Sequence, residues 1–336
     1  MRIKCPKRML NGPCGGLRGR LCEVDDFECP FLKAFENLRN DSYLRPILDR
    51  GFKVECKPKR PEETSEFMNM LNEKFVVTTE VEPWSFEELE RFMEIARLYD
   101  AVNVTDNPLG LPHIDVTFAS AWLKERGVEV IAQLTTRART REALFSSLLA
   151  LWASGVRNVL ALTGDWAPNS TFDLDSVRLV CLISLLNQGL DWEGRKVPKA
   201  SIHPGVAANP YFPYEEKRLL RKVRAGAQFA QSQPVFEMKV LKKFKDFPLP
   251  TLPSLLITTS RKVVKFLEEK GVAIPKDYEE GLKRAKEKGE ADEYVIDKNL
   301  EVLEEILSLE LPGVHVMAPG RPDLLVKFSK EIRRML

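Results

Sequence analysis

Carboxylates and amides collect where apolar runs of this chain end. Val159-Leu160-Ala161-Leu162 runs into Thr163-Gly164-Asp165-Trp166, so a buried strand gives way to a glycine turn with a carboxylate at its tip. Val76-Val77-Thr78-Thr79 runs into Glu80, Ala101-Val102-Asn103-Val104 into Thr105-Asp106-Asn107, and Gln228-Phe229-Ala230-Gln231 into Ser232-Gln233. Polar groups gathered at the C-terminal ends of parallel strands are how a barrel builds an active site, and Glu80 and Asp165 are its candidate carboxylates. Glu82 is expected on the opposite side from Glu80.

A second chemistry stands at the front. Cys5, Cys14, Cys22 and Cys29 are separated by six to eight residues, and Gly or Pro flanks them. Disulfides are not expected in a cytosolic enzyme, where clustered cysteines usually bind metal. Zinc favours short CxxC-like pairs, whereas Cys-Pro pairs accompany many iron–sulfur ligands. The spacing therefore predicts a [4Fe–4S] cluster, with structural zinc as the alternative. Cys56 is expected as a spare thiol or core residue, and Cys181 as a small buried hydrophobe in a helix. Residues 1–60 hold 14 Lys/Arg against 8 Asp/Glu, while the whole chain is only +2. A cluster beside a basic surface suits docking of an acidic electron carrier such as a ferredoxin; ordinary solvated surface is the plainer reading.

The elements that must position these groups alternate. Short β-branched runs begin near Phe75, Ala101, Val128, Arg157, Lys199, Ala227, Ser254 and Val314, with helical periodicity between them. Eight such units predict an α/β fold, a (β/α)8 TIM barrel with its site at the C-terminal ends of the strands. An open doubly wound sheet would want a Gly-rich phosphate turn after its first strand, and Glu80-Val81-Glu82-Pro83 is not one. The division expected is a cysteine-rich metal-binding domain at 1–60, a linker at 61–74 and the barrel at 75–336. A charged helical stretch, Lys276 to Leu309, reads as a solvated insertion or lid. The near-zero net charge gives no pull toward nucleic acid, and no apolar run is long enough for a membrane span, so the expected place is the cytoplasm. Charged residues at 30% lean toward a thermophilic composition.

From Phe75 onward the chain resembles the methylenetetrahydrofolate reductase family. The resemblance rests on Thr79-Glu80-Val81-Glu82-Pro83, Val102-Asn103-Val104-Thr105, Gln133-Leu134-Thr135, Gly155 through Asp165, and Leu220 through Ala227 followed by Gln233. The front segment resembles the cysteine-rich domain that, in acetogens and some archaea, belongs to a partner subunit of this reductase. The resemblance implies a flavoprotein of one-carbon metabolism and methionine biosynthesis, reducing a methylene-tetrahydrofolate or related tetrahydropterin to its methyl form. It implies Glu80 as general acid and Asp165 between flavin and pterin. Thr105, Gln133, His203, Arg221 and Lys222 are implied at the flavin, and Gln233 at the substrate. Gln133 stands where many members have His, His203 about where they have Tyr, and Thr163 replaces an Arg, which leaves FMN beside FAD as the cofactor. His315 and Arg321 receive no role. Electrons are expected through the cluster, with a pyridine nucleotide as another donor, in a homo-oligomer or a redox complex. The rival reading is a pterin-binding methyltransferase subunit without flavin, whose purified protein would be colourless.

Overall fold

Eight parallel strands close on themselves in chain order. They are β1 (Val76–Val81), β2 (Ala101–Val104), β3 (Val130–Thr135), β4 (Asn158–Leu162), β5 (His203–Ala208), β6 (Phe229–Pro234), β7 (Thr251–Leu256) and β8 (Gly313–Met317). The computed structural model describes residues 5–37, 44–168 and 170–336. Around the strands run α3 (Phe86–Ala96), α4 (Val116–Glu125), α5 (Arg141–Ala153), α6 (Ser176–Leu186), α7 (Glu215–Ala225), α8 (Met238–Leu241), α9 (Arg261–Glu269), α10 (Lys276–Lys288), α11 (Ala291–Ser308) and α12 (Pro322–Met335), after α1 (Pro30–Glu36) and α2 (Glu66–Glu73). This is the predicted TIM-barrel class. No helix among the described residues is long and apolar enough to cross a membrane.

Local chemistry explains the helices. Ser85 caps α3 by accepting from Glu88 N–H, and Glu87 and Glu88 face the positive end of its dipole. Leu89, Phe92, Ile95 and Ala96 recur at helical spacing and bury against the strands. At α7 the chain leaves the helix through Gly226, at φ 122°, with Lys222 and Arg224 in the last turn.

The barrel interior is layered. At the N-terminal end Val76, Ala101, Ile131, Leu160, Phe229 and Leu252 form an apolar floor, closed from below by Phe67, Met68 and Leu71 of α2. Phe67 meets Phe229 edge-on at 4.9 Å between ring centroids. The Phe229 ring lies where a side chain on residue 205 would be, 2.2 Å from the Cβ position, so Gly205 admits it. Above the floor the interior turns polar, with Thr78, Asn103, Gln231 and His315 all buried.

Two expectations are corrected by the fold. The stretch from Lys276 to Leu309 is not a solvated insertion, because α11 buries Val295, Ile296, Asn299, Val302, Leu303 and Ile306 and completes the β7–β8 crossover. Its charged face hid an ordinary i, i+3, i+4 apolar stripe. Cys56 and Cys181 are core residues as expected, Cys181 within α6, but they are not free thiols: they form a disulfide with Cα atoms 5.4 Å apart, tying the segment before α2 to α6.

Candidate functional site

Glu80 lies near the C-terminal end of β1, and its carboxylate meets side chains from two other strands. Gln133 Nε2, on β3, donates to Glu80 Oε2 at 3.2 Å. His315 Nε2, on β8, lies 3.5 Å from the same oxygen. The other His315 nitrogen is 2.9 Å from Thr78 Oγ1. Gln231 Nε2 continues the network to Thr78 Oγ1 at 3.3 Å and Asn103 Oδ1 at 3.1 Å. The Glu80 side chain is 14% exposed, so it is sheltered yet reachable. His315, without a role in the sequence, is the one imidazole on this carboxyl among the described residues. Its signal was its place in a β-run, Val314-His315-Val316, two residues from the strand end.

Glu82 lies just past the end of β1, close enough to Glu80 for that charge to act on it. Burial first, then the charges of Glu80 and Glu88, raise its carboxyl from 4.5 to about 7. The folded chain thus keeps a proton that the unfolded chain releases. That contribution to stability is complete below about pH 4.5 and is lost as pH rises through about 7. Glu82→Gln should therefore gain stability over wild type on going from pH 5 to pH 8, by at most about 3 kcal/mol. Melting curves at the two pH values that shift in parallel would count against it.

Beside these groups opens a cavity of about 320 Å³. Thr105, Gln133, Asp165, Lys222 and Gln233 line it, together with Ala161, Leu162 and Phe266. Five of the sequence candidates therefore share one wall system. Thr105 donates to Val81 O at 3.1 Å, which joins the ends of β1 and β2. Asp165 is exposed at the rim. The helix that follows its turn is capped by Asp175, which accepts from Arg178 N–H, so capping is not Asp165's task. Gly164 adopts φ +86° and backs onto Thr135 and Arg137, whose Cβ atoms lie 3.2 Å from where its own would be. Arg137, missed in the sequence, holds this turn by donating to Asp165 O at 3.2 Å, and it also donates to Asn107 O. Buried Asp106 fixes the neighbouring strand ends by accepting from Thr135 N–H at 2.8 Å and from Arg139.

Lys222 is buried and donates to Ala207 O. Burial first, then the charge of Arg218, bring its ammonium down to about 7. Arg221 does not reach the cavity: its guanidinium lies 5.1 Å from the centroid of the Phe35 ring in α1. His203 is a further correction. It opens β5 and so sits at the opposite end of the barrel, where it accepts from Ser65 N–H through Nε2 at 3.1 Å and meets Gln228 Oε1 through Nδ1 at 2.7 Å. Arg321 pairs with Asp292 and Asp323 near the start of α12.

The front segment forms the remaining wall. Lys7, Met9, Asn11, Pro13 and Cys14 line the same cavity. Lys7 Nζ donates to Gly164 O at 2.8 Å and pairs with buried Glu23. Glu23 also accepts from Trp166 N–H at 3.2 Å and pairs with Lys270, just past α9, at 3.3 Å. Behind this wall Cys5, Cys14, Cys22 and Cys29 line one small cavity. Val24 N–H donates to Cys22 Sγ at 3.5 Å. Burial raises the Cys14 thiol to about 11 against the pull of Lys7. Among the described residues no three His, Cys, Asp or Glu donors stand close enough to hold one metal ion.

Residues 67–332 match the family model described as "Methylenetetrahydrofolate reductase", and residues 1–50 match "Methylene-tetrahydrofolate reductase C terminal". A 5,10-methylenetetrahydrofolate reductase from Buchnera aphidicola is 31% identical over 160 residues, 46% of this chain and 52% of that one. The Salmonella typhimurium protein of the same name is 27% identical over 161 residues, 46% of this chain and 53% of that one. The matched stretch thus spans about half the length of these relatives. An uncharacterized protein from Clostridium thermocellum, described as binding two copies of 5-methyl-5,6,7,8-tetrahydrofolic acid, shares the fold with a TM-score of 0.58 at 15% identity, over 80% of this chain and 99% of that one.

Proposed function

We propose, given that this chain belongs to the methylenetetrahydrofolate reductase family, that its barrel reduces a methylene-tetrahydrofolate or related tetrahydropterin to the methyl form. The observation that carries this reading is Glu80, a sheltered carboxyl beside the cavity and in contact with Gln133 and His315. The substrate's methylene bridge must open to an iminium before hydride can add. Glu80 supplies the proton that the departing amine needs. His315, backed by Thr78, orients that carboxyl and can return a proton to it. Gln233 and Asp165, at the cavity's wall and rim, offer an amide and a carboxylate to the pterin's amino-pyrimidine edge.

The residues present fit a flavin. A cavity of about 320 Å³ falls in the range of small-ligand pockets, with Thr105 and Gln133 as polar contacts and Lys222 as the cation for a phosphate. Flavin, when bound, supplies hydride and converts one-electron supply into two-electron delivery.

We read the four cysteines, which line one small cavity, as ligands of an iron–sulfur cluster. Structural zinc in the same ligands is the alternative. The backbone N–H of Val24 on Cys22 Sγ would stabilise a thiolate and help tune a cluster's potential. We read residues 1–60 as a cysteine domain resembling the one that some reductases carry on a partner subunit. Cys14 lines both cavities, so electrons from an acidic carrier would arrive directly at the barrel mouth.

Anaerobic purification, a visible spectrum and metal analysis test this reading. Iron with sulfide and one flavin per chain are expected. Cys14→Ala should lose the cluster's absorption and electron uptake from reduced ferredoxin while keeping its flavin. Stoichiometric zinc without iron would remove the electron-supply role, and a colourless chain that binds no flavin on reconstitution would favour the methyltransferase reading.

A further inference from the structure

A carboxylate that meets the pterin must be held in place, and the barrel supplies only part of the hold on Asp165. We infer that the buried Lys7–Glu23 pair of the front segment is a positioning device for Asp165, so that a module outside the barrel sets the binding geometry at its mouth. The inference rests on the reading of Asp165 as a pterin contact.

The turn that carries Asp165 does not fix itself. Gly164 stands at φ +86°, and a glycine has no Cβ to confine its backbone. Asp165 is exposed, so its carboxylate goes where the backbone of residues 164–166 puts it. The barrel ties the start of the turn. Thr163 Oγ1 accepts from Ser176 N–H at 3.1 Å, and Thr136 Oγ1 donates to Thr163 O at 3.2 Å. Arg137 donates to Asp165 O at 3.2 Å. The peptide groups before and after Asp165 are both held from the front segment. Lys7 Nζ donates to Gly164 O at 2.8 Å, and Glu23 Oε1 accepts from Trp166 N–H at 3.2 Å.

The two residues suit that task. Their side chains are 4% and 2% exposed and form an ion pair. Neither charge can leave the other without being stranded away from water. Lys270 braces Glu23 Oε1 again at 3.3 Å. A Cβ on residue 16 would overlap the Glu23 carboxylate, so Gly16 is what admits it.

Other contacts dock the segment. Leu10 and Asn11 N–H groups donate to Asp175 Oδ2 at 2.9 and 3.1 Å. Asp49 pairs with Arg141 at 3.1 Å and with Arg178 at 2.5 Å. None of these ties involves Lys7, so removing its ammonium should loosen the turn without undocking the module.

The test uses the full chain. Lys7→Met, Lys7→Arg, Asp165→Ala and the Lys7→Met/Asp165→Ala double variant are compared with wild type. Amide hydrogen exchange of the peptide spanning residues 163–168 reads the turn. It should quicken about tenfold in Lys7→Met and return toward wild type in Lys7→Arg, which keeps the charge and the donor. Calorimetric titration with 5-methyltetrahydrofolate reads the site. Affinity should fall about tenfold in Lys7→Met. The double variant should lose no more than Asp165→Ala alone, because a residue that acts through Asp165 then has nothing to act on. Unchanged exchange in Lys7→Met, or losses of affinity that add in the double variant, would overturn the inference and leave the reading of Asp165 intact. Asp165→Ala binding the folate as tightly as wild type would overturn both.

Discussion

Replacing Glu80 by Gln is expected to slow turnover of the methylene-tetrahydropterin by about 10²–10⁴-fold, the usual contribution of a general acid. Flavin content and melting temperature should stay near wild type. Gln keeps the shape of the side chain and can still bond to Gln133 and His315, the two groups that hold the carboxylate. What it cannot do is give up a proton at neutral pH. Reduction of the cofactor by its donor should continue, because the pterin's amine takes no part in it. Stopped-flow measurement of the two half-reactions separates these effects. Turnover within a few-fold of wild type would remove Glu80 from the chemistry and direct attention to Glu82, whose carboxyl is raised to about 7.

Removing the Cys56–Cys181 bond should lower stability by about 4–5 kcal/mol, the chain-entropy expectation for a loop of this length. The bond spans 125 residues of sequence. It ties the segment between the cysteine module and α2 to α6, in the same buried cluster as Phe52 and Trp192. Alanine at both positions avoids leaving a lone buried thiol. Denaturant midpoints of this double variant and of oxidised wild type give the difference. Equal midpoints, or alkylation of both thiols in native protein without reductant, would show that the bond does not contribute.

Most of the candidate site was legible because strand ends are legible. Glu80, Thr105, Gln133, Asp165 and Gln233 each follow an apolar run, and a parallel barrel brings such positions to one face. His203 was misplaced for a related reason. The fifth run was read as starting near Lys199, four residues before β5 begins. That offset is most of a strand's length, and it moves a side chain from one end of the barrel to the other. The ion pair of Lys7 and Glu23 and the bond between Cys56 and Cys181 join residues by burial rather than by spacing, so no pattern in the sequence announced them. The crossover helix α11 was readable from its apolar stripe but was masked by the charges around it.

The plugged floor of the barrel has a kinetic consequence. With Phe67 and Phe229 filling the N-terminal end, reactants reach the cavity from the C-terminal face, which is their shared doorway. A soluble two-electron donor using that doorway would have to depart before the pterin could arrive, and its initial-rate plots would show parallel lines. A donor that hands over charge through the side wall at Cys14 leaves the doorway to the pterin alone. Raising the carrier concentration would then produce no competitive substrate inhibition, and both reactants could be present at once.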